Sequence, residues 1–506
     1  MKICLLLQRR FAYIGHQLAV DLKNRYCVNE FCALACTRPS YRFLRSQTEI
    51  DYSPLLLEED IHEKYKTEKI DYAYLDNLER EYGLPNLWPY IEVDRIIRFN
   101  QVVREYPYDQ CRYSHEELMR MLQVRAKAVI EMLDREKPDF FICSIASGLA
   151  GYLLHQIAVK KGVKPLIINF SRLDEYKHLL SDNSATFSYV DEKFSQLSRE
   201  GNKSDRFAEA EAFLKKFRED PAKNQGDIDF YLKRSNRLEQ MDFLLPKNIS
   251  RYIKWFAAEI KKIILSRQDR YDYSYTRLWG KIKDQTRRKL RNLRGVADLY
   301  DAVDLNENFV FFPLHFEPEF ALSLFAPFFT DQIYLIKQIA KSLPLTYKLY
   351  VKEHPGMVEY RPRKYYQEIK KIPNVRLINA KISGFEIIPK AKLITTITGT
   401  AGWEGLLLGK PVITFGEIFY NRLSSVKRCK NIDELPGLIR ERLNNFSYDE
   451  TELLNYLGCI MEESIDLNLE HLWHKEGDQQ KIQKDLQPLV DLLAKKMGLT
   501  NNKHTL

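Results

Sequence analysis

Short apolar runs of the length of buried strands alternate with amphipathic segments at both ends of the chain. In the first part, strands are predicted at residues 2–7, 29–35, 139–144 and 165–170, and helices at 16–26, 116–136 and 151–161. Strands separated by helices pair in parallel through right-handed crossovers. This order therefore predicts a doubly wound α/β domain, with residues 41–113 interpreted as helices and loops around the sheet.

The same alternation returns after residue 305. Strands are predicted at 308–313, 347–352, 375–378, 393–398 and 412–415, and helices at 330–343, 365–372 and 403–408. Ligands of such sheets bind at the carboxyl ends of the strands, and two facing domains leave a cleft. The pattern therefore predicts an α/β fold with two Rossmann-like, doubly wound domains facing a cleft.

These patterns divide the chain into four parts. Residues 1–200 form the N-terminal Rossmann-like domain, 201–304 a helical, basic insert or linker, 305–450 the C-terminal Rossmann-like domain, and 451–506 a helical tail. Pro488 is expected to kink or split the tail helix predicted at 477–499, since proline removes a helix hydrogen bond.

Positive charge is concentrated in the insert. Residues 247–294 hold 15 Lys or Arg against four acids, a net charge of +11, whereas the whole chain carries +9. Apolar residues recur there near helical spacing, at Tyr252, Ile253, Phe256, Ile260, Ile263 and Ile264. Such a basic amphipathic helix fits an anionic membrane surface. A solvated insert whose apolar stripe packs on the body fits the same pattern, whereas nucleic acid is not expected, because no nucleic-acid-binding motif accompanies the charge.

The apolar segments and the cysteines indicate the cellular compartment of the protein. The eight cysteines form no CxxC pair and several lie in predicted strands, which indicates reduced, buried thiols. No run reaches the roughly 18 apolar residues of a transmembrane helix, and the run at 3–7 is too short for a signal peptide. We therefore expect a cytoplasmic protein, peripheral at the inner face of the plasma membrane if the insert docks there.

Residues 350–420 contain the most informative chemistry. One strand ends at Lys352-Glu353-His354-Pro355, and the strand at 393–398 runs through Thr398, Gly399, Thr400 and Gly402 into a helix that carries Glu404. A helix amino terminus favours anions. Lys352, His354 and the glycine turn can stabilise a departing phosphate without metal. The single Asp-x-Asp pair, Asp227 and Asp229, lies in the charged linker, so neither metal nor another cofactor is expected.

These motifs resemble those of a known family. Phe312 to Glu319, Val351 to Pro355, Thr398 to Glu404, Gly409 to Val412 and Gly416 to Tyr420 occur in the same order in the bacterial capsule polysaccharide biosynthesis family, which contains the capsular Kdo transferases. The resemblance implies a GT-B-type glycosyltransferase. It makes residues 1–200 the acceptor domain and residues 305–450 the nucleotide-sugar domain.

The resemblance also assigns the donor site. A CMP sugar such as CMP-Kdo is the usual donor in the family, with Lys352 and His354 near its phosphate. Thr398, Gly399, Thr400 and Gly402 would contact phosphate or ribose, and Glu404 ribose or base. Where the family often has Pro-Leu-Gln and then Asp, this chain has Pro-Leu-His315 and Glu319, so other nucleotide sugars stay open as donors.

The catalytic base and several structural alternatives are open at this stage. His16, Asp174 and Glu175 are base candidates from the first domain, and Glu317 and Glu319 from the second. Gly399 and Gly402 could serve only helix packing. In the same way, Glu404 fits a first-turn acid and His315 either a core residue or a cleft residue.

Three functions fit the sequence. The first is transfer of a sugar from a nucleotide-sugar donor to a surface polysaccharide or lipid-linked acceptor, so the expected partners are a nucleotide sugar and a glycan or glycolipid. The second is transfer of glycerol phosphate from a CDP-alcohol, as in teichoic acid polymerases, although their Asp-Tyr-Ser-Ser turn is absent here. The third is a non-catalytic scaffold of glycan assembly.

Overall fold

The computed structural model describes residues 1–83, 86–100, 111–144, 146, 148–174, 176–221, 246–265, 272–358, 360–468, 472 and 479–500. Within these ranges the chain forms two mainly parallel sheets covered by helices, with a pair of basic helices between them in sequence.

The first sheet is built mainly from the N-terminal part of the chain. Its strands are β1 (Lys2–Leu7), β2 (Glu30–Ala35), β3 (Tyr52–Leu57), β4 (Phe140–Cys143), β5 (Lys164–Phe170) and β6 (Lys177–Ser181). They lie in the order β6-β5-β4-β1-β2-β3, in which β1 to β5 are parallel and β6 is antiparallel to β5. The sheet therefore winds outward in both directions from β1 and β4, as a doubly wound domain does.

Among these six strands, β3 and β6 were not predicted. β3 contains Pro54, which demotes a run to an edge strand, and β3 is indeed the outermost strand on its side. β6 is only five residues long and returns from β5 through a turn in which Asp174 accepts a hydrogen bond from the Tyr176 amide at 2.8 Å. Both strands depend on a neighbouring strand more than on their own residue pattern.

The helices of the N-terminal part cover both faces of the sheet. They span Phe11–Tyr26, Arg38–Arg45, Glu58–Glu63, Tyr72–Tyr82, Trp88–Glu92, Arg95–Phe99, His115–Glu136 and Gly148–Lys160. Alternate residues of β1 enter different cores, with Cys4 and Leu6 on one face and Leu5 and Leu7 on the other. Burial on both faces explains why this strand is apolar at every position rather than at every second one.

The second sheet is fully parallel. Its strands are β7 (Phe309–Pro313), β8 (Lys348–Lys352), β9 (Val375–Ile378), β10 (Leu393–Thr396), β11 (Val412–Thr414) and β12 (Val426–Arg428). The order β12-β11-β10-β7-β8-β9 also reverses direction at its centre, between β7 and β10. The predicted fold class of two Rossmann-like, doubly wound domains is confirmed.

The helices of this second part alternate with its strands. They span Phe320–Phe325, Gln332–Ser342, Arg363–Lys370, Gly384–Ile387, Thr400–Leu407, Leu435–Asn444 and Glu450–Glu463. The insert contributes the helices Pro246–Leu265 and Leu278–Arg294, and the last helix is Gln479–Lys496. Short 3₁₀ helices occur at Lys64–Lys66, Ala297–Leu299, Pro355–Met357, Phe419–Arg422 and Ile432–Glu434.

Two parts of the chain cross between the sheets. The helices Ser188–Glu200 and Phe207–Glu219 follow the first sheet in sequence but share a core with the second one, together with Glu450–Glu463. In return, β13 (Ile465–Asp466) pairs with β6, and the helix Gln479–Lys496 packs against the first sheet's core through Leu486, Leu489, Val490 and Leu493. The last helix continues through Pro488 instead of splitting there.

A buried arginine joins the ends of two strands in the second sheet. Arg361 contacts Glu353, just after β8, and the His315 carbonyl and Glu317, both just after β7. The side chains of Arg361 and Glu353 are 0% exposed. Because charges this deeply buried need partners, the network fixes both loops relative to each other.

We expect the Arg361→Met variant to lower the unfolding free energy by about 3–5 kcal/mol, because Glu353 would lose its partner while buried. Denaturant unfolding followed by tryptophan fluorescence measures this change.

Arg363→Met is the matched control. Arg363 pairs with Asp298, whose side chain is 63% exposed, so its loss should change stability little. Equal unfolding midpoints for the two variants would show that the Arg361 network does not hold the strand ends.

Candidate functional site

The carboxyl ends of β7, β8 and β10 meet at one edge of the second sheet. In the strand register, Pro313 pairs with Lys352, and Lys352 pairs with Ile378 of β9. This register sets Lys352 at the last paired position of the central strands. The loops beyond it carry His315, His354 and the turn into the helix Thr400–Leu407.

Lys352 is a buried cation at this edge. Its side chain is near the carbonyl oxygens of Glu353 and Ala380, at 3.4 and 3.3 Å from Nζ. Burial lowers the pKa of Lys352 to about 8, against the opposing effect of the Glu353 and Glu404 carboxylates. A desolvated cation of this kind binds a phosphate more strongly than an exposed lysine would.

Glu404 lies near Lys352 from the second turn of the helix Thr400–Leu407, so the role of a first-turn acid considered from the sequence does not apply to it. Burial raises the pKa of Glu404 to about 7, while a hydrogen bond with Thr400 and the charge of Lys352 act in the opposite direction. The pair therefore offers a cation and a hydrogen-bond acceptor side by side. A nucleotide needs both, the first for its phosphate and the second for its ribose or base hydroxyl and amino groups.

His354 is oriented by its own loop. Its Nδ1 accepts a hydrogen bond from the Gly356 amide at 3.1 Å, and its own amide donates to Glu353. The Phe316 ring meets the His354 ring edge to face, with centroids 5.5 Å apart. Because Nδ1 is an acceptor, the neutral ring carries its proton on Nε2 and can donate a hydrogen bond from there.

His315 binds the glycine turn from inside. Its Nε2 accepts a hydrogen bond from the Thr398 amide at 3.2 Å and lies at the same distance from Thr396 Oγ1. Burial, with further contributions from His354 and Arg361, lowers its pKa to about 3. His315 is thus neutral and belongs to the support of the site.

The two predicted glycines of the turn also have packing roles. A Cβ on Gly399 would come within 2.7 Å of Thr396 Oγ1, and one on Gly402 within 2.4 Å of Tyr420 Oη. The Tyr420 hydroxyl donates to the Gly399 carbonyl at 2.6 Å. The amides of Thr398, Gly399 and Gly402 already donate within the protein, to His315, Thr396 and Gly399. These residues therefore shape the turn, and Lys352, His354, Thr400 and Glu404 are the remaining candidates for contact with a ligand.

A cavity of about 390 Å³ lies beside this edge and is lined by both domains. Phe316, which touches His354, and Glu319 line it from the second domain. From the first domain it is lined by residues that follow β1, β2 and β3, namely Gln8, Arg9, Cys36, Thr37 and Glu58. The carboxyl edges of both sheets thus open onto the same space.

Sequence reasoning missed Glu58, a buried carboxylate that lines this cavity. Glu58 directly follows β3, accepts a hydrogen bond from Tyr273 Oη at 2.7 Å and lies 3.6 Å from the buried Arg125 Nε. Burial raises its pKa, with Arg125 acting in the opposite direction. Glu58 was missed because β3 was not predicted. Its position directly after a strand is the signal that would have identified it.

Asp94 lines the same cavity but has a structural task. One of its oxygens caps a short helix by accepting from the Ile96 and Ile97 amides, and the other accepts from the Leu149 amide at 3.2 Å. Both carboxylate oxygens of Asp94 are thus engaged in holding the local backbone.

Arg172 is a second residue that sequence reasoning missed. It follows β5 with a φ of +65°, which is uncommon for a residue other than glycine. Its carbonyl accepts a hydrogen bond from Trp403 Nε1 at 3.2 Å, and its charge interacts with Glu319 across the cleft. Arg172 therefore brings a first-domain cation to the turn that precedes Glu404.

The predicted base candidates are spread over three places. His16 is buried between Tyr52, at 3.0 Å, and Glu49, beside the amino end of β3 and away from the cavity. Asp174 is exposed in the turn between β5 and β6, and Glu175 lies outside the described residues. Glu319 is at the cavity, whereas Glu317 belongs to the Arg361 network.

Metal ligation can be considered only for the described part of the chain. There, no group of three or more His, Cys, Asp or Glu side chains is arranged to hold a metal ion. Asp227 and Asp229 lie outside the described residues.

Several solved structures have a similar chain trace. The beta Kdo 2,7 transferase of Thermosulfurimonas dismutans KpsC has a TM-score of 0.33 and 14% identity, over 78% of this chain and 94% of that one. The UDP-GlcNAc 2-epimerase from Neisseria meningitidis, solved with UDP-GlcNAc, has a TM-score of 0.26 and 12% identity, over 98% and 100%. Neither likeness supports an inference about function at these TM-scores.

Sequence comparison is more informative. The protein FixF of Sinorhizobium fredii (strain NBRC 101917 / NGR234) is 32% identical over 167 residues, or 32% of this chain. The match spans 39% of that curated relative. Residues 204–424 match the family model described as capsule polysaccharide biosynthesis protein. This match contains all the motifs of the second domain described above, and residues 204–424 are therefore similar to the capsule polysaccharide biosynthesis family.

Proposed function

We propose that the protein is a glycosyltransferase of capsule polysaccharide biosynthesis that takes its sugar from a nucleotide-sugar donor. The observation that carries the proposal is the buried Lys352 near Glu404 at a strand-end edge. Next to this edge, Phe316 contacts His354 and lines a cavity that Glu58 lines from the first domain. The family's CMP sugars, such as CMP-Kdo, are the first donors to test. The acceptor is a glycan or glycolipid at the inner face of the plasma membrane.

In the proposed reaction, the donor phosphate lies at Lys352 and His354, and Glu404 and Thr400 bind the ribose or base. The bond between the sugar's anomeric carbon and the phosphate oxygen breaks, and the nucleotide leaves with the bonding electrons. Lys352 stabilises the charge that develops on this leaving group. The acceptor oxygen bonds to the anomeric carbon and gives its proton to a carboxylate of the cavity, for which Glu58 is the best placed.

The Lys352→Met variant should weaken nucleotide binding without destabilising the protein. Removal of a charge-assisted hydrogen bond costs about 1.5–3 kcal/mol, or at least tenfold in affinity. Because burial lowers the pKa of Lys352, its charge opposes folding at pH 7, so the melting temperature should stay equal or rise. Calorimetry with CMP, CDP, UDP and GDP, paired with thermal melts, measures both.

The Lys348→Met variant, at the half-buried start of the same strand, is the control for loss of a lysine. Unchanged affinity in both Lys352→Met and His354→Ala would refute the proposed donor site. A protein that binds none of the four nucleotides would instead favour the scaffold function, and preference for CDP-alcohols the glycerol phosphate transfer.

Nucleotide affinity should fall as pH rises above about 8. Burial lowers the pKa of Lys352 from its ordinary 10.5 to about 8, so the cation is present below pH 8 and is lost above it. The nucleotide phosphate, with a second pKa of about 6, is already fully ionised there. Titrations between pH 7.5 and 9.5 should show a steeper fall in the wild type than in Lys352→Met, in which only the ionisation of Glu404 remains; equal profiles in the two proteins would contradict the assignment.

Glu58→Gln should reduce sugar transfer while leaving nucleotide binding intact. The amide retains the shape and the contact with Tyr273 but cannot accept the acceptor proton, so turnover should fall by about 10²–10⁴-fold. Donor-to-acceptor transfer and CMP affinity are measured on the same preparation. Asp94→Asn serves as the comparison, and wild-type turnover in Glu58→Gln would eliminate Glu58 as the base.

A further inference from the structure

The helix Pro246–Leu265 presents an apolar stripe to solvent. The stripe follows helical spacing along one face, with exposures of 46% at Ile249, 64% at Ile253, 43% at Phe256, 40% at Ile260 and 66% at Ile264. Lys254 and Lys261 are exposed on the same helix. The sequence also fitted a helix whose apolar stripe packs on the body of the protein. These side chains are exposed, so they do not fit that alternative.

The helix Leu278–Arg294 has an attached face, which contacts the second domain, and an opposite face that is exposed to solvent. On the attached face, Arg288 and Arg291 donate hydrogen bonds to Tyr360 of the second domain. The opposite face exposes Trp279, Leu290 and Leu293 by 74%, 60% and 49%. Exposed basic residues lie among them at Lys283, Arg287 and Arg294.

Together these two exposed faces define the insert surface, which combines large apolar side chains with exposed basic residues. Residues 247–294 as a whole carry a net charge of +11. An anionic bilayer complements both properties, because its interface takes up the apolar side chains and its headgroups attract each nearby basic residue by about 1 kcal/mol. A second copy of the chain would bring two equally positive surfaces together. Nucleic acid would leave the isoleucine stripe exposed.

Between the two helices, residues 272–274 are held at the cavity. Asp272 pairs with Arg38 at 3.1 Å, Tyr273 Oη donates to Glu58 at 2.7 Å, and Ser274 donates to Glu59. Tyr273 and Ser274 also line the cavity itself. The insert surface is thereby connected directly to the first-domain side of the cleft.

We propose that the insert surface docks on an anionic lipid bilayer and so sets the cavity at the membrane, where a lipid-linked acceptor can enter it. The role of the cavity in this statement rests on the proposed function, whereas the docking does not. None of the helices in the described part of the chain is long and apolar enough to cross a membrane. The helices would lie in the plane of the interface.

Vesicle co-sedimentation of the full chain tests the docking. We expect the protein to pellet with vesicles of phosphatidylcholine and 30% phosphatidylglycerol, to remain in solution with phosphatidylcholine alone, and to be released by about 0.5 M salt, where screening is strong. Ile253→Glu combined with Ile264→Glu should reduce the partition coefficient at least tenfold, since charges are then forced into the apolar part of the interface.

Leu345→Glu is the matched control, because Leu345 is a fully exposed leucine of the second domain outside the insert surface. It should pellet like the wild type. Absence of pelleting with anionic vesicles, or wild-type pelleting of the double variant, would overturn the docking. Self-association that the double variant abolishes, without lipid binding, would identify a second copy as the occupant and overturn it too.

The result is separable from the proposed function. CMP affinity of the double variant should equal that of the wild type, because the substituted residues are remote from the Lys352 edge. Vesicle binding by a protein that binds no nucleotide would leave the docking standing and remove the donor assignment, while the reverse outcome would remove only the docking.

Discussion

The buried contact of Arg361 with Glu353, Glu317 and the His315 carbonyl is the constraint on which the second domain's edge depends. Removing two charges from water is costly, and the cost is offset only when geometry and hydrogen bonding are good. This requirement allows few arrangements of the two loops. The positions of His315, Lys352 and His354 follow from it, since each is within a few residues of a group that Arg361 holds.

The same edge combines a tightly packed turn with buried ionisable side chains. Gly399 and Gly402 allow the turn to pack closely against Thr396 and Tyr420. The buried His315 accepts a hydrogen bond from the Thr398 amide. On this support, Lys352 and Glu404 have pKa values that burial shifts toward neutrality. Buried ionisable groups of this kind lower the stability of the protein, and a ligand of opposite charge can compensate for that loss when it binds. Perturbed pKa values therefore concentrate at functional sites.

The cavity is assembled from three distant parts of the chain. First-domain residues contribute Glu58, the second domain contributes Phe316 and Glu319, and the insert contributes Tyr273. The tail then returns to the first sheet, while the helix Ser188–Glu200 belongs to the second core. These crossings tie the two domains together on either side of the cleft, so that a site between them depends on both cores.

The sequence by itself determined the two doubly wound sheets and the edge that carries Lys352, His354 and Glu404, because apolar periodicity and turn residues are local properties of the chain. It did not reveal β3 or β6, whose stability comes from neighbouring strands. Nor did it distinguish residues that support the turn from residues that a ligand could reach. Thr398 and Gly399 donate their amide hydrogen bonds within the protein, and the sequence does not show this. Arg172 and the Arg361 network were decided by tertiary structure alone, because burial and side-chain pairing leave no periodic signal in the chain. Glu58 was missed together with β3, which it directly follows.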